Sequence, residues 1–390
     1  MTGSACSTER RPHPLAAAWR FARQPRERRR VVFYVESAAD WPHLSGILRR
    51  LVDTHGQPVS VLATAADDPI FQLESALVSA FHIGEGHART ILFRALDADL
   101  VVMTMPDLGV FHLKRSIHPV HYVYVFHAIN STHMIYRADS FDAYDTVLCV
   151  GPHHSREIRA RENRYGVRAK HLVDHGSTRL DALLLATQDV RPSATDPVIL
   201  VAPSWGASSL IEHNGQAVIK ALLDGGYRVR LRPHPMQWRM ASPALLAILA
   251  AFDGVSRFEL DTAAHADRSF CEAGLLVSDW SGAALEFGLS TGRPVLFIDT
   301  PRKVRNPPYA ALGLEPVEVG IRERLGRVLE PQAAVDTPSV ARELLSLKTA
   351  EPAGLARLRD EVVFNVGKSA AVGADTILEV LAGAGQARAT

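Results

Sequence analysis

Several polar segments follow apolar runs and carry side chains suited to binding phosphate. The first is Asp279-Trp280-Ser281-Gly282, which ends an apolar run and precedes a segment of helical spacing that contains Glu286. The free N–H groups at a helix start bind anions, a glycine lets a phosphate approach the backbone, and a serine can donate its hydroxyl. Glu286 is placed to accept hydrogen bonds from ribose. The alternatives are that Ser281 only caps the helix and that Glu286 is an ordinary helix carboxylate.

A histidine between two prolines follows another apolar run, in Arg232-Pro233-His234-Pro235. The prolines restrict the backbone and lower the entropy cost of holding the histidine in place. Arg232 and His234 are cations or donors suited to a diphosphate. The alternative is a loop histidine without a function.

Two further strand ends carry candidate residues. His127 comes where the most apolar run of the first half ends, and a neutral histidine near its normal pKa can take a proton from an attacking hydroxyl. Ser204 is expected to contact phosphate and Trp205 to stack on a ring. A core role for His127 and packing at a domain edge for Trp205 are the alternatives, and His133 fits packing equally well.

The familiar cofactor motifs are missing. The sequence has no GxxxxGK[ST] loop, no GxGxxG after the first strand, no HExxH and no GxSxG elbow. These absences argue against a dinucleotide oxidoreductase and against a zinc site. We expect no cofactor, while a Mg²⁺ ion bound through substrate phosphates stays open.

The elements that must position these residues are short apolar runs alternating with helical patterns. Such runs, bounded by Gly, Pro and Asp, are typical of parallel strands covered on both faces. Predicted strands are 31–35, 59–63, 100–104, 120–126, 146–150, 198–202, 227–231, 274–277 and 294–298. Predicted helices are 44–54, 69–81, 153–165, 214–224 and 243–252, and residues 321–384 are mostly helical.

The pattern predicts an α/β protein with two facing Rossmann-like domains, parallel sheets and C-terminal helices packing back on the first domain. Ligands of such sheets lie at the carboxyl ends of strands, where the candidate residues fall. A polar segment with two prolines separates the halves. The expected division is a basic arm (1–30), an N-terminal acceptor domain (31–187), a linker (188–197), a C-terminal donor domain (198–350) and C-terminal helices (351–390).

Composition fits this division. A chain of 390 residues suits about two domains, and 47% hydrophobic with 22% charged residues is typical of a globular protein. The net charge of +1 gives no indication of nucleic-acid binding. No membrane span or secretory signal is expected. Cys149 and Cys271 lie in apolar surroundings and are interpreted as buried thiols in a reducing cytoplasm, with a disulfide as the alternative.

The N-terminal arm is strongly basic. Its acidic residues are Glu9 and Glu27, and its arginines are Arg10, Arg11, Arg20, Arg23, Arg26, Arg28, Arg29 and Arg30. We interpret the arm as a contact with an anionic membrane surface, with Trp19 and Phe21 dipping into the headgroups. A disordered basic tail is the alternative. The first interpretation places the protein peripherally at the inner face of the cell membrane.

Taken together, these segments resemble the CDP-glycerol glycerophosphotransferase family of teichoic-acid primases, polymerases and capsule-forming relatives. The similarity covers residues 120–300 and rests on PSW (203–205), RPHP (232–235) and SDWSGAALEF (278–287) followed by GRPVLF. FHA (126–128) is similar to the family's W-H-G motif, and GSTRLD (176–181) to its G-x-x-R-x-D turn.

The resemblance implies a GT-B fold, a CDP-alcohol donor, and attack of an acceptor hydroxyl on the β-phosphorus with release of CMP. The acceptor would be a lipid-linked or glycopolymer chain. By position, His127 would be the general base, Arg232 and His234 would neutralise the diphosphate, Ser281 with the Gly282 N–H would hold its oxygens, and Glu286 would hold the ribose.

Two departures from the family pattern bear on the substrate. Gly282 replaces the second serine of D-Y-S-S, and F-H-A-I-N-S-T replaces W-H-G-T-P-L-K, so the lysine of that run is missing. Acceptor or donor can therefore differ from glycerol phosphate. A GT-B glycosyltransferase using a nucleotide sugar, and a non-catalytic nucleotide-binding scaffold, remain the alternatives.

Overall fold

The computed structural model describes residues 13–389 apart from 112, 264–266 and 348–351. Runs of β-branched and aromatic residues form the strands. The strands are β1 (Val31–Val35), β2 (Val59–Ala63), β3 (Val78–His82), β4 (Leu100–Met103), β5 (His121–Val125), β6 (Thr146–Cys149), β7 (His171–Asp174), β8 (Val198–Val201), β9 (Arg228–Leu231), β10 (Phe258–Leu260), β11 (Ala273–Ser278), β12 (Val295–Ile298) and β13 (Gly326–Leu329). The strands in the centre of each sheet are buried on both faces, whereas the edge strands β3, β7, β10 and β13 are partly exposed.

Helices connect the strands and cover both sheets. They are α1 (Pro14–Ala22), α2 (Arg26–Arg29), α3 (Trp41–Arg49), α4 (His87–Arg94), α5 (Thr132–Ile135), α6 (Pro152–Tyr165), α7 (Thr178–Thr187), α8 (Leu210–His213), α9 (Gly215–Asp224), α10 (Pro235–Arg239), α11 (Pro243–Ala251), α12 (Asp267–Glu272), α13 (Gly282–Thr291), α14 (Val317–Leu325), α15 (Thr337–Ser346), α16 (Pro352–Val362) and α17 (Ser369–Ala389). A π-helical turn at Arg50–Thr54 extends α3.

Both sheets are parallel and share one strand order. The first runs β3-β2-β1-β4-β5-β6-β7 and the second β10-β9-β8-β11-β12-β13. In each, the order reverses beside the first strand, and ligands of open α/β sheets bind in the crevice at such a switch point. Loops that follow β8 and β11 therefore meet at one edge of the second sheet.

The C-terminal helices pack back on the first half, as predicted. Ala374, Ile377 and Leu381 of α17 join the core that α3 forms on one face of the first sheet. Leu358 and Val362 of α16 join the core on the other face, which continues into the second half. One of the apolar cores is therefore continuous between the two halves.

The predicted helix over 69–81 is wrong. Only a 3-10 turn forms at Pro69–Gln72, and the chain then enters the edge strand β3, with Val59 opposite Val78 in the register with β2. Leu73, Leu77 and Phe81 have helical spacing, which led to the prediction of a helix. An edge strand with one covered face contains few apolar residues, so the sequence does not show the continuous apolar run that marks a central strand.

The N-terminal arm is packed where the structure describes it, which corrects the membrane interpretation in part. Phe21 is 1% exposed and meets Phe81 edge to face at 5.7 Å, so it cannot enter headgroups. Arg26 bonds both Asp97 and Asp99. Trp19 is 57% exposed, whereas Arg10 and Arg11 lie outside the described residues.

Two other sequence expectations concern the membrane and the thiols. Among the described residues, no helix is long and apolar enough to span a bilayer. Cys149 is a buried free thiol, as predicted, but Cys271 is only half-buried, and its thiol donates to the Ala186 carbonyl at 3.3 Å.

Candidate active site between the two halves

A cavity of about 220 Å³ lies where the strand ends of the two halves face each other. Five residues predicted from the sequence line it: His127, Arg232, His234, Ser281 and Glu286. The rest of the lining is Ala39, Pro42, His43, Arg179, Ala202, Pro203, Pro233, Pro235, Phe270 and Ala283. Residues far apart in the chain therefore meet at one place.

His127 follows β5 and is oriented by the backbone. Its Nδ1 lies 3.1 Å from the carbonyl of Thr104, the residue after β4, so Nδ1 carries the proton and Nε2 is left as an acceptor. The Thr104 hydroxyl in turn donates to Asp40 at 2.8 Å. Burial lowers the pKa of His127 even though Asp40 and the Thr104 carbonyl act to raise it. A neutral ring with a bare nitrogen is the form that a general base requires.

His234 has the opposite arrangement. It caps α10, and its Nδ1 accepts from the Met236 N–H at 3.1 Å, so the proton lies on Nε2. Burial, together with the positive field of Lys303, lowers the pKa of His234 to about 3. His234 is therefore a neutral hydrogen-bond donor in the free protein, which is one of the two roles that the sequence left open for it.

Arg232 directly follows β9 and is held by a carboxylate. Its guanidinium donates to Asp261 at 2.8 Å, and Asp261 also accepts from Ser269 at 2.5 Å. Burial would raise the pKa of Asp261, but these donors lower it below its ordinary value. Arg232 is thus a fixed donor whose charge is already matched.

The start of α13 supplies free donors, as the sequence indicates. Ser281 caps the helix by accepting from the Ala283 N–H at 3.3 Å, and its hydroxyl hydrogen is left available. The Gly282 N–H finds no acceptor among the described residues. Both groups can donate to phosphate oxygens at the positive end of the helix dipole.

Asp279 and Ser204 are structural, which corrects their assignment as donor contacts. Asp279 is fully buried, and it accepts from the Ser204 N–H at 2.7 Å, the Ser204 hydroxyl at 3.1 Å and the Leu210 N–H at 2.7 Å. Burial raises its pKa despite these bonds. Asp279 therefore ties the loop after β8 to the end of β11. The Trp205 ring, by contrast, is half-buried beside the cavity, 5.9 Å from the His234 ring.

Glu286 reaches the cavity together with Arg179, which belongs to the GSTRLD segment. Arg179 of α7 lies 3.8 Å from the Glu286 carboxylate and 2.5 Å from that of Asp267. Burial raises the pKa of Glu286, which Arg179 partly opposes. Asp181 of the same helix accepts from the N–H groups of Gly367 and Ser369, so it ties α7 to the start of α17.

His43 of α3 is a lining residue that sequence reasoning missed. Its ring centroid lies 6.3 Å from that of His127, and burial next to His127 lowers its pKa well below the ordinary value. Its sequence signal is weak, because it lies inside a helix rather than at a strand end.

The two departures from the family pattern meet in space. A Cβ atom on Gly282 would come within 2.6 Å of Asn130 Oδ1 and 3.7 Å of Ala128 Cβ. Asn130 and Ala128 belong to the run that replaces W-H-G-T-P-L-K, so the first half fills the space that a serine side chain at 282 would need.

Polar bonds between the halves hold the His127 loop. Glu318 of α14 accepts from the Ser131 N–H at 2.9 Å and from its hydroxyl at 2.8 Å. His133 lies 3.2 Å from Glu157; burial would lower its pKa, but this ion pair raises it. His133 is therefore a packing residue.

No metal site is evident in the described part of the chain, where no three His, Cys, Asp or Glu side chains are grouped to hold an ion.

Comparisons with known proteins bear on the fold. No protein-family model and no curated protein matches the sequence. A structure of the wall teichoic acid polymerase TagF matches with a TM-score of 0.58 at 14% identity, over 95% of this chain and 94% of that one. The chain has the GT-B fold. The predicted pair of facing Rossmann-like units is thereby confirmed.

Other solved structures share this architecture. The UDP-GlcNAc 2-epimerase of Methanocaldococcus jannaschii, in complex with UDP-GlcNAc and UDP, has a TM-score of 0.55 at 14% identity over 90% of this chain and 99% of that one. S. aureus MnaA with UDP has a TM-score of 0.57 at 13% identity, over 90% and 95% of the two chains. At these identities the likeness establishes the fold alone.

Proposed function

We propose that the protein transfers a phospho-polyol, such as glycerol phosphate, from a CDP-activated donor to a hydroxyl of a membrane-linked glycopolymer acceptor and releases CMP. The observation that carries the proposal is a single cavity lined by both halves. The first half contributes His127, whose Nε2 is free to accept a proton, and the second half contributes Arg232, His234 and the start of α13. The GT-B fold shared with TagF supports it, and one TagF structure is that of a histidine-to-asparagine variant soaked with CDPG.

In the proposed reaction, His127 Nε2 takes the proton of the acceptor hydroxyl as its oxygen attacks the β-phosphorus. The bond from that phosphorus to the bridging oxygen breaks, and CMP leaves with the bridging oxygen. Arg232, the His234 Nε2–H, the Ser281 hydroxyl and the Gly282 N–H donate to the diphosphate oxygens, and Glu286 accepts from the ribose. Positioning and charge stabilisation supply most of the catalysis in phosphoryl transfer.

The test measures CMP release from CDP-glycerol or CDP-ribitol with a polyprenyl-linked acceptor, with Mg²⁺ and with EDTA. We expect His127→Asn to lower kcat by about 10²–10⁴-fold, the usual contribution of a general base, with donor affinity largely kept. His118→Asn, at an exposed histidine outside the cavity, is the matched control. Absence of CMP with every CDP-alcohol would refute the proposal.

A nucleotide-sugar enzyme is the second candidate, because the epimerase structures have the same fold and their names include UDP or UDP-GlcNAc. Here His127 would activate a hydroxyl that attacks an anomeric carbon. A thermal-shift panel of UDP-, GDP-, CMP- and CDP-linked donors separates the two candidates. A non-catalytic nucleotide-binding scaffold predicts instead that His127→Ala leaves the function intact.

A further inference from the structure

The cationic side chains that line the cavity are already balanced by carboxylates. Arg232 is paired with Asp261 at 2.8 Å, and Arg179 with Asp267 at 2.5 Å, with Glu286 close by at 3.8 Å. The histidines that line the cavity are neutral in the free protein, since burial lowers the pKa of each. A diphosphate that enters therefore finds hydrogen-bond donors but no unmatched positive charge on the lining.

Unmatched cations lie directly beside the cavity, in the segment after β12. Lys303 Nζ lies 4.5 Å above the Trp205 ring and Arg305 Cζ lies 5.4 Å from it. That ring is 5.9 Å from the His234 ring. Within the described residues, neither Lys303 nor Arg305 has a carboxylate within ion-pair distance, and Lys303 is close enough to lower the pKa of His234.

The backbone of this segment is fixed by both halves. The N–H groups of Arg305 and Asn306 donate to the Met134 carbonyl at 3.0 and 3.2 Å, and the Asn306 side chain donates to the His133 carbonyl at 2.8 Å. On the other side, Trp280 donates to the Thr300 carbonyl at 2.8 Å. The two cations are therefore positioned over Trp205 rather than carried on a free loop.

The field of Asp279 acts on Lys303 but does not neutralise it through a contact. Both Asp279 oxygens already accept hydrogen bonds, from Ser204 and from Leu210. A cation that is desolvated and has no bonded carboxylate gains most from an anionic ligand, because charge-assisted bonds to phosphate are about twice as strong as neutral ones.

We propose that Lys303 and Arg305, stacked on Trp205, are the cationic wall of the site and bind the diphosphate of a nucleotide-linked donor. This inference rests on the proposed function for the identity of the donor. It assigns the charge neutralisation to a segment that carries none of the sequence motifs, and it leaves hydrogen bonding to Arg232, His234 and the start of α13.

Calorimetry with inorganic pyrophosphate, CDP, CMP and cytidine tests the proposal. Lys303→Met keeps the apolar stem on Trp205, and we expect it to weaken pyrophosphate and CDP binding about 10- to 100-fold, as for loss of a charged hydrogen bond, with cytidine binding unchanged. Lys303→Arg should keep most of the affinity. Lys220→Met removes an exposed lysine of α9 that is paired with Asp224, and it should change nothing.

A second measurement needs no variant. Amine labelling followed by mass spectrometry should show pyrophosphate protecting Lys303 while Lys220 stays equally reactive. Wild-type affinity of the Lys303→Met/Arg305→Met double variant for pyrophosphate and CDP, or no protection of Lys303, would overturn the inference. So would a wild-type protein that binds neither ligand.

The binding measurements and the CMP-release assay together test this inference separately from the proposed function. If pyrophosphate binds through Lys303 but no CDP-alcohol yields CMP, the cationic wall is supported and the proposed CDP-alcohol donor is refuted. If Lys303→Met releases CMP with an unchanged KM for the donor, the proposed function is supported and the role of Lys303 in binding the diphosphate is refuted. A rise confined to the acceptor KM would refute it as well.

Discussion

Two histidines at one cavity hold their protons on opposite ring nitrogens, and the backbone decides which. The Nδ1 of His127 faces the Thr104 carbonyl, which can only accept, so Nε2 is bare. The Nδ1 of His234 faces the Met236 N–H, which can only donate, so Nε2 is protonated. The same residue type thus supplies a base on one wall and a donor on the other, without a carboxylate partner for either ring.

This arrangement predicts a bell-shaped pH dependence of kcat/KM. Burial lowers the pKa of His127, so the base form is present above that pKa and activity should rise with pH through a midpoint below 6.5. Burial also lowers the pKa of Lys303 to about 8, so its positive charge, and with it donor binding, should be lost as pH rises through 8. His234 should contribute no limb, since its pKa is about 3.

Lys303→Arg is the matched control for the pH profile. Because arginine stays protonated, the alkaline limb should move far upward while the acid limb stays in place. An acid midpoint above 6.5, or an alkaline limb that Lys303→Arg leaves unchanged, would contradict the assignment.

The contact between Asn130 and Gly282 predicts strong coupling between these two positions. Gly282→Ser should clash with Asn130 Oδ1, since its Cβ would lie 2.6 Å away, and overpacking costs about 1–3 kcal/mol. We expect a lower Tm and weaker donor binding. Adding Asn130→Ala should restore both, whereas Asn130→Ala alone should have a small effect. A double-mutant cycle of thermal stability measures this, and additive effects would show that the two residues do not compete for space.

Sequence reasoning located the reactive side chains better than it assigned their roles. His127, Arg232, His234, Ser281 and Glu286 were predictable because parallel strands deliver their carboxyl ends to one edge. Their charge states were not, because these depend on burial and on backbone partners. The role of Asp279 was not predictable either. An aspartate at the end of a strand looks the same in the sequence whether its carboxylate binds a ligand or, as here, accepts from three donors of the protein itself.

The loop after β5 is held by carboxylates from two neighbouring helices. Glu157 of α6 accepts from the Thr132 N–H at 2.5 Å, and Glu318 of α14 accepts from Ser131. These carboxylates, one from each half, satisfy the free donors at the start of α5. They thereby fix the loop that begins with His127.

Removing the Glu318 carboxylate should therefore loosen this loop. Glu318→Ala leaves the buried Ser131 N–H and hydroxyl without acceptors, at a cost of about 1–3 kcal/mol for each unsatisfied group. Glu318→Gln keeps one acceptor and should lose less. Both should lower kcat more than donor affinity. The control is Glu343→Ala, which removes an exposed ion pair with Arg327 worth at most about 1 kcal/mol. Urea unfolding measures the losses, and equal losses for Glu318→Ala and Glu343→Ala would contradict the role.

Elements were predictable where they are central and buried. The central strands of both sheets matched continuous apolar runs, since both faces are covered. The edge elements did not: β3 was predicted as helix and β7 was missed, because an edge strand has few apolar residues to mark it. The helix α7 was read as a turn, since GSTRLD carries a cap and charges before its apolar face begins.

The C-terminal helix α17 connects the end of the chain to the first half. The chain leaves the first half at residue 188, completes the second sheet and returns as α17, which packs on α3. Close approach requires glycine on this helix. A Cβ on Gly373 would lie 2.9 Å from both Ile47 Cδ1 and His175 Nε2.

Gly373→Val should therefore destabilise the whole fold. The added side chain has no space against α3, and overpacking costs about 1–3 kcal/mol, which exceeds the gain of under about 1 kcal/mol from replacing glycine in a helix. Gly383→Val is the control, because it lies on the same helix and a Cβ there meets nothing within 4 Å. We expect a lower midpoint of urea unfolding for Gly373→Val and an equal or higher one for Gly383→Val. Since α3 also carries His43 into the cavity, Gly373→Val should weaken donor binding too. Equal midpoints for the two variants would show that the packing of α17 on α3 does not support the fold.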